Sequence, residues 1–212
     1  MVRSDIKDFI NTIPKEVTVV AASKYVDDND IKVLLESGID NIGENRVESF
    51  LEKYEKLKEY PIKWHFIGHL QRNKLNKVID KIDFLESLDS LELAKMINIR
   101  RTAPLKCFVE ISINLEENKN GVPYFAAKNF IEALLEYKNI EVVGLMMMTI
   151  KNSENDSLDE QFSKLRELRD ELEKELKIKL PYLSMGMSED YQVAIKNGAT
   201  HIRLGRILFN ML

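Results

Sequence analysis

The chain has 212 residues, 44% hydrophobic and 31% charged, with a net charge of -4. That balance fits one large globular domain over 1–212, and the slight acidity offers no attraction to nucleic acid or an anionic membrane. A single cysteine, Cys107, rules out a disulfide framework within the chain, and neither a signal peptide nor a bilayer-spanning run is legible, so a cytoplasmic location is expected.

Residues 4–12 read as a short leading helix ending before Pro14. The first strand, 17–23, passes from β-branched to small residues and stops at Lys24. A near-continuous apolar run of this kind is a strand buried on both faces, as in parallel sheets. A helix over 30–37 follows, capped from Asp27, Asp28 or Asn29 and stopped by Gly38. Next come a strand at 39–42, a turn at Gly43-Glu44-Asn45, and a helix whose apolar positions include Val47, Phe50, Leu51, Tyr54 and Leu57.

Strand 62–67 is broken by Gly68, and a helix over 71–79 leads to strand 82–86. Asp89 or Ser90 caps the helix after it. Strand 105–113 carries Cys107 as a buried residue and runs into a polar loop at 114–121. A helix with Phe125, Phe130, Ile131, Leu134 and Leu135 precedes strand 140–148. The clearest helix spans 157–177, where Leu158, Phe162, Leu165, Leu168, Leu172 and Leu176 recur at steps of three or four. Its pairs Glu160/Lys164 and Asp170/Lys174 stand at i,i+4 in the favourable order. Strand 181–185, a helix over 189–197 stopped by Gly198, strand 200–204 and a closing turn complete the chain.

Eight strand–helix units in regular alternation imply a parallel sheet with crossover helices, and at this length a closed (β/α)₈ TIM barrel of class α/β. An open doubly wound sheet is the rival, but Ser23-Lys24-Tyr25 is not the Gly-rich first turn such sheets carry.

In a barrel of this kind, sites gather at the C-terminal ends of the strands. Lys24, Asn45, His65, Gly68, Ser188 and Arg203 all fall there. A lysine closing a buried strand ordinarily just reaches solvent, but a partly desolvated one becomes a nucleophile toward carbonyls. In Met185-Gly186-Met187-Ser188-Glu189-Asp190, Gly186 allows close backbone approach and Ser188 caps the next helix, which makes either a plain N-cap or an anion site. Arg203-Leu204-Gly205-Arg206 places cations and a glycine where barrels bind phosphate, although a cation in an apolar strand also serves as a salt-bridge partner.

His65 and His69 are separated by a strand end and Gly68, so they share no helical face and no metal site is expected. Met146-Met147-Met148 reads as core and barrel lining. A lysine facing a phosphate cup suggests a phosphorylated carbonyl compound held as a Schiff base: pyridoxal 5′-phosphate (PLP) as cofactor, or the substrate of a sugar-phosphate aldolase.

At these motifs the chain resembles the pyridoxal phosphate homeostasis proteins, the YggS/PROSC family. The resemblance covers nearly the whole length. It rests on Ala22-Ser23-Lys24, Gly43-Glu44-Asn45, Trp64 to Gln71 with Asn73-Lys74, Lys119 and Gly121, Gly144-Leu145-Met146, Phe162 through Leu172, Leu183 to Ser188, and Arg203-Leu204-Gly205. It implies the barrel domain of alanine racemase standing alone, with Lys24 joined to PLP as a Schiff base.

By the same resemblance, Ser188 and the backbone N–H groups of Gly205 and Arg206 would hold the phosphate. Arg203 would face the pyridine nitrogen, Asn45 would lie near the ring, and His65 would belong to the same cofactor site. An arginine there leaves the nitrogen unprotonated and the ring a weaker electron sink. With the chain ending at Leu212, the racemase's second domain and its catalytic tyrosine are not expected. The implied role is a monomeric, non-enzymatic PLP carrier with PLP-dependent client enzymes as partners; a weak amino-acid racemase is the alternative. The chain departs from the family pattern at Arg206, where a small hydroxyl residue is usual, and at Asn210, where glycine is.

Overall fold

The computed structural model describes residues 1–113, 120–150 and 154–209. Among these residues nine strands are laid down in chain order: β1 (Thr18–Ala22), β2 (Asn41–Glu44), β3 (Lys63–Phe66), β4 (Phe84–Leu88), β5 (Leu105–Ser112), β6 (Val122–Pro123), β7 (Ile140–Met146), β8 (Tyr182–Met187) and β9 (His201–Leu204). All pairings are parallel, in the order β4-β3-β2-β1-β9-β8-β7-β5, and β4 pairs back onto β5, so eight strands close into a barrel while β6 pairs with the end of β5.

The helices are α1 (Ile6–Asn11), α2 (Asp28–Glu36), α3 (Val47–Leu57), α4 (Leu75–Val78), α5 (Leu91–Arg100), α6 (Ala127–Leu134), α7 (Asn155–Leu176) and α8 (Tyr191–Lys196). Among the described residues no helix is long and apolar enough to cross a membrane.

All eight expected strands form, with shifted ends. The second runs 41–44, not 39–42, because Gly43 is a strand residue rather than a turn: a Cβ there would lie 3.0 Å from Val20 Cγ1 and 3.1 Å from Ile67 Cδ1, so neighbouring side chains close over it. The fourth runs 84–88 and the seventh 182–187. The helices expected at 71–79 and around Phe125 each open with a 3₁₀ turn, Arg72–Lys74 and Tyr124–Ala126, before α4 and α6. Strand β6 has no alternating pattern to betray it. The polar loop expected at 114–121, with Lys119, lies mostly outside the described residues, as does Asn210. On α7 the Glu160–Lys164 pair forms at 3.8 Å, whereas Asp170 pairs with Arg169 at 2.6 Å.

The barrel has two interiors of different chemistry. Most of the apolar core, including Ile31, Leu34, Ile42, Phe50 and Phe162, lies in one large cluster packed beneath the helices. A separate small cluster holds Phe84, Phe108, Val143 and Met146. Ring contacts from Phe84 of β4 to His201 of β9 (6.4 Å) and from His65 of β3 to His201 (6.2 Å) join strands that are not sheet neighbours, so these side chains meet inside the barrel. That inner space also buries Glu86, Ser184 and Arg203. Ionised groups this deep cost several kcal/mol unless paired, so their bonding defines the site.

Candidate functional site

Lys24 stands just beyond β1, half-buried, with its ammonium 4.6 Å above the Tyr25 ring centre. No carboxylate among the described residues pairs with it. The ammonium lowers the pKa of the Tyr25 phenol beside it. The chain under Lys24 is anchored: the Ser23 hydroxyl donates to Glu44 Oε1 (2.7 Å), the Ser23 N–H donates to Gly43 O (3.0 Å), and Lys53 from α3 donates to both Ser23 O and Glu44.

Asn45 follows β2, and its buried Oδ1 has no partner among the described residues. Gly68 explains the tight fit there, because a Cβ on it would lie 2.3 Å from Asn45 O.

On the other side of β1 the register places Ala21 opposite Leu204, so Lys24 and Gly205 leave neighbouring strand ends. Gly186 has φ +93, and a Cβ there would lie 2.6 Å from Ala194 Cβ, so α8 packs directly on the end of β8. The expected cap is corrected: Asp190, not Ser188, is the N-cap residue of α8. Asp190 accepts from Met187 N at 2.6 Å and from Thr149 Oγ1 at 2.8 Å, so the carboxylate closes the turn and frees the serine. Ser188 Oγ accepts instead from Gly205 N (3.2 Å) and Ile207 N (3.4 Å). These two bonds seat the Ser188 hydroxyl beside the backbone of Arg206. The Arg206 side chain is 55% exposed and paired with Glu189, so it points out of the cup.

Arg203 is 5% exposed. Its Nη1 donates to Ser184 Oγ (2.7 Å) and its Nη2 to Met147 O (2.7 Å). Ser184 in turn donates to Glu86 Oε2 at 2.6 Å, and Arg203 lies 3.8 Å from the same oxygen. His65 is fully buried, with Nδ1 2.6 Å from Glu86 Oε1 and Nε2 2.9 Å from Asn41 Oδ1. Both nitrogens are taken, so His65 as a cofactor contact is corrected to a link behind Arg203. Burial opposes the charge on Glu86, but His65, Arg203 and Ser184 outweigh it and hold the carboxyl at about 2. Sequence reasoning gave no role to Glu86 or Ser184, although an acid inside an apolar strand is the same signal that marked Arg203.

The eight-stranded barrel, a strand-end lysine and a serine–amide cup define the class: the family model for the alanine racemase N-terminal domain matches residues 11–211. The alanine racemase of Clostridium difficile 630 shares the fold, with a TM-score of 0.80 at 16% identity over 98% of this chain and 57% of that one. The pyridoxal phosphate homeostasis protein of Aquifex aeolicus is 41% identical over 194 residues, 90% of this chain and 85% of that protein. PipY of Synechococcus elongatus PCC7942, solved with PLP bound, has a TM-score of 0.88 at 28% identity over 96% of this chain and 99% of that one. The chain belongs to the pyridoxal phosphate homeostasis proteins of the alanine racemase N-terminal domain family.

Proposed function

We propose that this protein holds PLP covalently through Lys24 and serves as an intracellular carrier that buffers the cofactor and releases it to PLP-dependent enzymes. The observation that carries the reading is the convergence of the Gly205 and Ile207 amides on Ser188 at a strand end adjoining that of Lys24. The residues present fit the cofactor. Asn45 Oδ1 is a buried acceptor without a partner among the described residues, and the side of Gly205 that a Cβ would occupy is open apart from Ala22, 3.7 Å away.

When bound, PLP supplies an aldehyde that condenses with the Lys24 amine, with loss of water. Ser188 and the backbone N–H groups of Gly205 and Arg206 would hold the phosphate, where backbone N–H groups suit an anion. Asn45 would border the ring, and Arg203 would present a permanent donor to the pyridine nitrogen. An acid there would protonate that nitrogen and promote carbanion chemistry; a guanidinium does not, which suits storage more than turnover.

The cheapest test is the spectrum of the protein mixed with PLP. A visible band that vanishes in Lys24→Ala is expected, and a band untouched by that change overturns Lys24 as the attachment point. Solvent deuterium entering the α-carbon of added amino acids faster than with free PLP would move the reading to a racemase.

A further inference from the structure

We propose that Glu86, acting through Ser184, is the positioning residue that fixes the Arg203 guanidinium and thereby sets the protonation behaviour and retention of the Lys24-bound cofactor. The inference rests on the PLP reading above.

Its basis is the direction of the hydrogen bonds. Arginine only donates, so Ser184 Oγ must accept from Arg203 Nη1 and spend its own proton on Glu86 Oε2. That order gives the guanidinium a single seat, closed on its other side by Met147 O. Glu86 Oε2 is the carboxylate oxygen paired with Arg203 among the described residues, at 3.8 Å.

The chain continues on the far side. Asn41 Nδ2 donates to Asp40 Oδ1 at 2.7 Å, which turns Asn41 Oδ1 toward His65 Nε2. Both ring nitrogens of His65 therefore face acceptor oxygens, one of them the Glu86 carboxylate. Five side chains from β2, β3, β4, β8 and β9 form one line across the barrel, from Asn41 to Arg203. A barrel core that needed only stability would fill this space with apolar groups, since buried ion pairs rarely outperform them. The line ends at the group that faces the cofactor ring, and this gives the buried carboxylate a use.

The other titratable groups around Glu86 and Arg203 are His201 of β9 and Glu110 of β5, with Asp89 beyond β4 acting on Glu110. Each lies on a different element from Glu86, so a change confined to Glu86 or Ser184 leaves them in place.

The test titrates the visible band of PLP-loaded protein across about pH 6 to 9 and measures PLP dissociation, in the wild type, Glu86→Gln and Ser184→Ala. Both variants are expected to keep the Lys24-dependent band, to shift its pH midpoint by about one unit and to lose PLP about tenfold more readily, the scale of one hydrogen bond to a charged group. Ser184→Ala leaves both charges in place, so it carries the test if Glu86→Gln fails to fold. A wild-type midpoint and dissociation constant in a folded Ser184→Ala or Glu86→Gln overturns the inference alone. A wild type that forms no Lys24-dependent band overturns the functional reading and the inference with it.

Discussion

Glu44 on β2 and Glu86 on β4 are both wholly buried, yet they lie on opposite sides of the barrel wall. Glu44 points outward, to Lys53 of α3 and to Ser23, and its Oε2 has no partner among the described residues. Glu86 points inward and uses both oxygens, one on His65 and one on Ser184. The outer cluster is a bolt between one helix and two strand ends, close in sequence and local in effect. The inner one spans the barrel and terminates at the candidate site. Two carboxylates of equal burial thus differ in what they serve: the outer holds the backbone that carries Lys24, the inner fixes the Arg203 side chain through Ser184.

The largest effect that would break this contrast is on stability. Glu44→Ala strands the nearly buried Lys53 ammonium, and removing one partner of a buried pair costs about 3–5 kcal/mol. Urea denaturation of the cofactor-free protein should show that loss. Lys53→Met added to it should recover most, because no buried charge then remains. A loss below about 1 kcal/mol would mean that Lys53 reaches water and that the bolt is not real. In surviving Glu44→Ala protein the band of bound PLP should titrate as in the wild type; a shifted midpoint would erase the distinction between the clusters.

The eight strands were legible because parallel strands buried on both faces leave continuous apolar runs, and 17–23 is the clearest of them. Lys24, Ser188 and Arg203 stood out as polar residues ending or interrupting such runs. What stayed hidden depends on inside-outside parity and on pairing across the barrel. Nothing in the run 82–86 says that Glu86 faces Ser184, 98 positions away. Nor does the sequence around Ser188 reveal that Asp190 would take the cap position and leave the hydroxyl to the Gly205 and Ile207 amides. His65 looked like a site residue because it lies near a strand end; its neighbours in the barrel, Glu86 and Asn41, decide otherwise.

A second prediction sharpens the inner side. Burial, with Asp89 adding to it, raises the Glu110 carboxyl from 4.5 to about 7, and burial lowers His201 from 6.5 to about 4. The folded state holds the Glu110 proton more tightly than the unfolded chain, so Glu110 takes stability away as pH rises from about 4.5 to about 7. His201 resists protonation when folded, so its share of stability is present above about 6.5 and is lost as pH falls toward about 4. The two slopes oppose each other. Glu110→Gln deletes one and leaves the other, so its stability should climb with pH more steeply than the wild type's, by a few kcal/mol at most between about pH 5 and 7.5. Denaturation curves at those two pH values read it directly, and parallel behaviour of the two proteins would show that Glu110 is not desolvated by the inner cluster.

The smallest effects lie at the rim, where two polar residues just past the neighbouring strands β8 and β9 differ in burial. Ser188→Ala removes the hydroxyl on which two amides converge, and weaker PLP retention by about 1–2 kcal/mol is expected. Arg206→Ala removes a full charge, yet that side chain is 55% exposed and occupied with Glu189. Solvent screens such a pair, so retention should change less than about twofold. Equilibrium titration of PLP against both variants compares a neutral group inside the cup with a cation outside it. If Arg206→Ala proves the costlier, the cation turns inward when phosphate is present, and the rim follows the rule of the inner cluster: a charge matters where protein, rather than water, answers it.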